Sequence, residues 1–255
     1  MNVKVKNLSS GVSIIQINDP KTYNSLSFKN LTDLIKVFKK LDGDKKTKVI
    51  IIEGAGKGFS AGHNLKEVKS LKLRNKYQKL FNLCSKLMLQ IVEGRKPVIA
   101  KVHGAAYAAG CQLVASCDLA YASQVSKFAT PGVNIGLFCS TPMVALSRVA
   151  KNKHSMEMLL TGDFINADKA KSIGLINNYF NEKEIFSATR EMAVKIANKS
   201  SQTLKIGKKA FYNQAEMKIT DAYEYASKVM INNMMESDSE EGIKAFIEKR
   251  KPNWN

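Results

Sequence analysis

Apolar runs long enough to cross a bilayer are missing. No stretch of the 255 residues approaches the roughly 18 consecutive apolar side chains that a membrane span needs. The N-terminal MNVKVKNLSSGVSIIQIND has no continuous apolar core before a cleavage site, so no secretory signal peptide is expected. Cysteine is scarce: Cys84, Cys111, Cys117 and Cys139 include no pair at metal-ligand spacing. They read as buried, reduced thiols of a reducing compartment. The three histidines, His63, His103 and His154, do not cluster with carboxylates, and no metal site is expected. Phosphate-binding fingerprints are also absent. Gly54–Gly58 lacks the G-x-x-x-x-G-K-[ST] pattern, and no G-x-G-x-x-G opens a helix.

Acidic side chains are in short supply too. Twenty-two Asp and Glu face 40 Lys and Arg, a net charge of +18. The basic residues are scattered, mostly lysine, and lie on helix-like stretches. Arginine and interleaved exposed aromatics, which read and stack bases, are concentrated nowhere, so nucleic acid is not expected as a partner. A polyanionic small ligand such as a nucleotide or coenzyme A also suits the charge, as does a genomic habit of lysine use.

What is present alternates. GVSIIQI (Gly11–Ile17) is β-branched with strand periodicity. Between Ser27 and Leu41, Phe28, Leu31, Leu34, Ile35, Phe38 and Leu41 fall at helical spacing. KVIIIEG (Lys48–Gly54) and PVIAKVHG (Pro97–Gly104) read as buried strands. A long amphipathic helix is expected from Leu71 to Glu93, a small-residue helix over Ala108–Ala115 and a strand over Asp118–Ala122. Beyond Ser140 the pattern is helical apart from GLINNYF (Gly174–Phe180), and three or four helices fill Lys183–Arg250. Such alternation predicts a layered α/β core.

Two small-residue loops follow buried strands: FSAGHNL (Phe59–Leu65) and HGAAYAAG (His103–Gly110). Ligands of parallel α/β sheets bind beyond the carboxyl ends of strands. The second loop opens into a helix, whose first turn offers free N–H groups. One N–H from each loop suits a single oxygen that gains negative charge, an oxyanion hole. Two tight packing turns fit the same spacing.

Several segments resemble the crotonase (enoyl-CoA hydratase/isomerase) superfamily. They are IAKVHG (Ile99–Gly104), AAG (Ala108–Gly110), ASCDL (Ala115–Leu119), FSAGHNLKEV, DPKTYNSLS, LLTGDFINADKAKSIGLIN (Leu159–Asn177) and FIEKRKPNW (Phe246–Trp254), in the family's order. FSAGHNLKE, GCQLVASCD and ATPGVNIGLFCSTP look most like its enoyl-CoA hydratase domain-containing subgroup. The resemblance implies an α/β fold: a crotonase-like spiral of ββα units over residues 1–195. A C-terminal helical trimerisation region would follow over 196–255, with homotrimers or hexamers as the assembly. It implies an acyl-CoA ligand of fatty-acid metabolism, with coenzyme A entering as part of the thioester substrate and no separate cofactor. The backbone N–H groups of His63 and Ala109 would hold the thioester oxygen. Lys21, Ala61, Leu65 and Lys66 would contact coenzyme A or substrate, with Phe246 and Lys249 reaching in from the tail. The compartment would be the cytoplasm, or the mitochondrial matrix for a processed eukaryotic chain.

The chain departs from the hydratases of that family at the two places where their glutamates stand. Here those places hold Gln112 and Gly132. The next loop, Phe138-Cys139-Ser140-Thr141, supplies no acid in exchange, and Ser140 can only steer water or substrate. Gln112 can orient water but cannot relay a proton near neutral pH, and Gly132 is expected to leave only room. Each missing acid–base function costs about 10²–10⁴ in rate. Efficient hydration is therefore not expected, and the alternative is a non-catalytic acyl-CoA-binding or interaction protein on the same fold. Asp118 is expected to act structurally.

Overall fold

The computed structural model describes residues 2–254. In chain order the elements are β1 (Val3–Asn7), β2 (Val12–Ile17), α1 (Phe28–Gly43), β3 (Val49–Gly54), α2 (Leu65–Leu71), α3 (Arg74–Val92), β4 (Val98–Val102), β5 (Ala105–Tyr107), α4 (Ala109–Ser116), β6 (Leu119–Ser123) and β7 (Lys127–Ala129). Then come α5 (Ser140–Val149), α6 (Asn152–Thr161), β8 (Ile165–Asn166), α7 (Ala167–Ser172), β9 (Asn178–Phe180), α8 (Ile185–Ala197), α9 (Ser201–Gln214), α10 (Ile219–Met234) and α11 (Ser237–Ile247).

A six-stranded sheet runs β1-β2-β3-β4-β6-β9, antiparallel only at the β1–β2 edge. Its inner strands are covered on both faces, which is why VIIIEG in β3 reads as an unbroken apolar run. Ile50 and Ile52 point into the larger core under α1, α3 and α4. Val49 and Ile51 point the other way, into a smaller core closed by Ala193 and Ala197 of α8. Helix α1 starts where the Ser27 side chain accepts the Asn30 N–H. It buries Leu31, Leu34, Phe38 and Leu41 along one stripe, each such side chain contributing about 1.5–3 kcal/mol.

A second sheet, β5-β7-β8, stands beyond the end of the first. The chain turns from β4 into β5 at Gly104, whose φ is +58°. A Cβ there would lie 2.1 Å from the Lys57 carbonyl oxygen, so only glycine fits. Strand, turn, short strand and helix thus form one ββα unit in β4–β5–α4.

The helix expected over Leu71–Glu93 is present as α3, which starts at Arg74, while Leu71 closes the separate short helix α2. Lys72 adopts φ +52°, ends α2 and turns the chain before α3 starts at Arg74. The last three helices bury almost nothing within the chain: α9 and α10 contribute no buried residue and α11 only Asp238 and Ala245. Helix α9 is nonetheless tied to the core. Lys208 Nζ, nearly buried, donates to the carbonyls of Ile91 and Lys96 and pairs with Asp118 at 2.7 Å. Tyr212 donates to the other Asp118 oxygen, and the Val98 N–H donates to Asp118 as well. Asp118 is thus the structural anchor that its Cys-Asp turn suggested.

Candidate functional site

Three loops meet beyond the carboxyl ends of β2, β3 and β4. Asn24 stitches the first to the second: its amide group donates to the carbonyls of Ala55 and Gly58. Its own carbonyl accepts the Ser60 hydroxyl. Tyr23 and Asn24 both take positive φ to achieve this. Ala61 N–H donates to Tyr23, and Leu26 N–H to Gly62. The second loop is zipped to the third by Phe59 and Ser60 N–H groups donating to Ala105 and by Tyr107 N–H donating to Ser60. A parallel bridge joins Ser60 and Ala106.

This zipper sets the loop of His63, at Gly62, against the start of α4. A Cβ on Gly62 (φ +85°) would fall 2.8 Å from the Tyr107 carbonyl oxygen and 3.1 Å from the Ala109 nitrogen. On Gly110 it would fall 2.3 Å from the Ser60 carbonyl oxygen. Ala108, between them, holds φ +48° and ψ −116°, a conformation foreign to alanine that costs on the order of 1–3 kcal/mol. It is pinned by its N–H to Ala129 and by Gln112 N–H to its carbonyl. The strained residue turns the chain so that Ala109 opens α4 with a free first-turn amide. Among the described residues, neither the His63 nor the Ala109 amide has an acceptor within the chain.

The His63 ring is held. Its Nδ1 lies 2.9 Å from the Leu26 carbonyl oxygen, which can only accept, so Nδ1 carries the proton. Phe81 packs edge-on at 5.5 Å, and Nε2 is buried without a partner. Burial lowers the imidazole below its ordinary 6.5, opposed by the Leu26 hydrogen bond and by Glu67. The unfolded chain therefore takes up this proton first as pH falls. Stability is complete above about pH 6.5 and drains away below it until the folded imidazole also protonates. Urea unfolding across this range should show a shallower acid loss for His63→Gln than for the wild type.

Gln112 lies on α4, buried, with its carbonyl oxygen 3.9 Å from the Cys84 sulfur. Gly132 lies in a short 3-10 turn over Pro131–Ile135, where its N–H donates to Cys139 Sγ at 3.3 Å. The expected room at Gly132 is not there: a Cβ would sit 2.4 Å from the Leu137 carbonyl oxygen and 2.8 Å from that sulfur. All four thiols are buried. Burial pushes Cys84 and Cys111 up to about 12 and raises Cys139 as well, so none supplies a ready thiolate.

The remaining expected residues divide by place. Ala61, Leu65 and Lys66 flank the His63 loop and are exposed, and Lys21 is exposed in the Pro20–Thr22 turn of the first loop. Ser140 opens α5 next to Cys139, exposed. Phe246, in the last turn of α11, and Lys249, just beyond it, are exposed. The sequence reading missed Asn24, Gly62 and Ala108 as the parts that aim the amides. Asn24 and Gly62 sit inside the quoted segments. Nothing in an alanine among alanines marks a positive φ.

A sequence model described as enoyl-CoA hydratase/isomerase matches residues 7–255. The chain belongs to the enoyl-CoA hydratase/isomerase family. It is 46% identical to enoyl-CoA hydratase domain-containing protein 3, mitochondrial, of Xenopus laevis over 244 residues, 96% of this chain and 83% of that protein. The crystal structure of human enoyl coenzyme A hydratase domain-containing protein 3 superposes with a TM-score of 0.97 at 43% identity, covering 100% of both chains. An enoyl-CoA hydratase from Mycobacterium smegmatis does so with the same score and identity, over 100% of this chain and 99% of that one. The crotonase-like fold and the subgroup likeness read from FSAGHNLKE, GCQLVASCD and ATPGVNIGLFCSTP are borne out.

Proposed function

We propose that the chain binds an acyl-CoA thioester with its carbonyl oxygen between the amides of His63 and Ala109, stabilising enolate-like charge without the paired carboxylates of a hydratase. The observation that supports this reading is the close approach of Gly62 to the Ala109 nitrogen, which brings the loop of His63 against the first turn of α4, each with an amide that has no acceptor among the described residues. Backbone dipoles held in place cost no reorganisation when charge develops on the oxygen.

The side chains around the amides favour reactions that need no proton relay. Gln112 carries no titratable proton, Gly132 no side chain, and His63 has spent its N–H on Leu26. The Glu67 carboxylate accepts the Phe28 N–H. Decarboxylation of a 2-carboxyacyl (malonyl-type) thioester releases CO2 and leaves the electron pair of the broken C–C bond on the α-carbon as the enolate, which then takes a proton from water, so no base is required. Thioester hydrolysis and slow hydration follow in that order of demand. Phe246 and Lys249 would reach a coenzyme A only from a neighbouring copy. A homotrimer or hexamer would also cover the apolar faces that α9–α11 expose. Relatives named mitochondrial favour the matrix for a eukaryotic chain and fatty-acid metabolism as the setting.

The test is calorimetry with coenzyme A and acyl-CoAs beside steady-state assays on 2-enoyl and 2-carboxyacyl thioesters. Binding with slow hydration, or with decarboxylation, supports the proposal. Hydration as fast as that of a two-glutamate enzyme overturns it. Binding with no turnover on any thioester favours the acyl-CoA-binding alternative. Adding Gly132→Glu to Gln112→Glu should lower the melting temperature without restoring hydration, because the Leu137 carbonyl blocks the new side chain.

A further inference from the structure

We propose that the corner between α2 and α3 docks onto an anionic lipid surface. The inference goes beyond the acyl-CoA reading and stands or falls separately from it.

Positive charge is dense at this corner. Residues 65–79 hold six basic side chains, Lys66, Lys69, Lys72, Arg74, Lys76 and Lys79, against the single acid Glu67. All six are exposed. None forms an ion pair among the described residues. Glu67 is partly buried and turned to the α1 amide of Phe28, so it offsets little of this charge. The left-handed turn at Lys72 leaves five consecutive residues, Lys72–Lys76, exposed.

Apolar side chains stand among these charges. Leu65 is 56% exposed and Leu73 54% exposed, at the two ends of α2. A merely solvated face gains nothing from them. Interfacial segments of membrane proteins combine the two: lysines meet lipid phosphates and neighbouring leucines enter the headgroup boundary. Nucleic acid fits less well. The stretch has one arginine, its only aromatic, Tyr77, is half-buried, and no ring is available for base stacking. The placement has a functional sense as well. Asn64, next to His63, caps α2 by accepting the Lys66 and Glu67 N–H groups, so the docking corner is fixed to the loop that carries one of the two amides.

The experiment is co-sedimentation of the full chain with phosphatidylcholine vesicles with and without phosphatidylserine, over a salt series. Binding should require the anionic lipid and weaken as salt rises. Each basic residue near such a surface contributes roughly fivefold. The quadruple variant K69A/K72A/R74A/K76A should therefore lose on the order of several hundredfold in partitioning. A control of equal net charge, K151A/K183A/K195A/K199A, removes exposed lysines elsewhere and should keep most of the binding. Leu73→Asp should lower vesicle binding in an otherwise folded chain, as judged by circular dichroism. No binding to anionic vesicles at low salt overturns the proposal. Equal loss in the control variant overturns it too, since the charge would then act diffusely. So does RNA binding through the same four residues with no vesicle binding.

Discussion

Gly62→Ala should reduce whatever thioester turnover the chain possesses by about 10²–10³, the effect of losing one oxyanion donor. The added methyl group has nowhere to go. It meets the Tyr107 carbonyl oxygen, the Ala108 Cβ and the Ala109 nitrogen together, and the φ of +85° is poor for any L-residue. Relief requires the second and third loops to part, which separates the amides of His63 and Ala109. The loss should fall on kcat more than on KM, because charge on the oxygen is greatest in the transition state. Gly11→Ala is the control. It shares a positive φ, +77°, but lies in the β1–β2 turn, so it should cost stability and leave kcat alone. Equal kcat in the Gly62 variant and the wild type would remove the amide pair from the mechanism.

Asp118→Ala should destabilise the fold by about 3–5 kcal/mol, the cost of stranding one member of a buried ion pair. The carboxylate serves three donors: the Lys208 ammonium, the Tyr212 hydroxyl and the Val98 amide. Its deletion leaves Lys208 with only two carbonyls in a site where its side chain is 6% exposed. Burial and the Asp118 charge also push the Tyr212 hydroxyl far up, so that phenol is a fixed donor in the wild type. Denaturant unfolding measures the loss. A second variant, Asp118→Leu with Lys208→Met, removes both charges and should recover much of it, since apolar replacement of a buried pair is often near neutral. If both variants are equally unstable, the loss comes from the stranded Val98 amide and Tyr212 hydroxyl rather than from the unpaired Lys208 charge.

The legible parts of this fold were those whose chemistry is local. VIIIEG and VIAKV are recognisable as inner strands because both their faces are buried. Helix α1 carries its stripe and its serine cap in one window. The three-stranded second sheet escaped the sequence reading because its strands are two or three residues long, too short for any period. Strand β1 escaped because VKVKN, an edge strand, presents lysines rather than an apolar run. The break at Lys72 has no glycine or proline to announce it. At the site, the two loops were legible as small-residue turns after strands. The space at Gly132 was not, because the atoms that fill it, the Leu137 carbonyl and the Cys139 sulfur, come from a turn that only the folded backbone brings back. Asp118 was legible as a structural residue, but its partner Lys208 stands 90 positions away.

The loops that set the His63 turn against the start of α4 draw on residues 19–129, the last being the Ala129 carbonyl that pins Ala108. Every part of this corner therefore lies in the first 129 of the 255 residues to be synthesised. Helices α9–α11, with their exposed apolar faces, emerge last. A nascent chain can therefore close this corner of loops first and expose its late apolar helices only as synthesis ends.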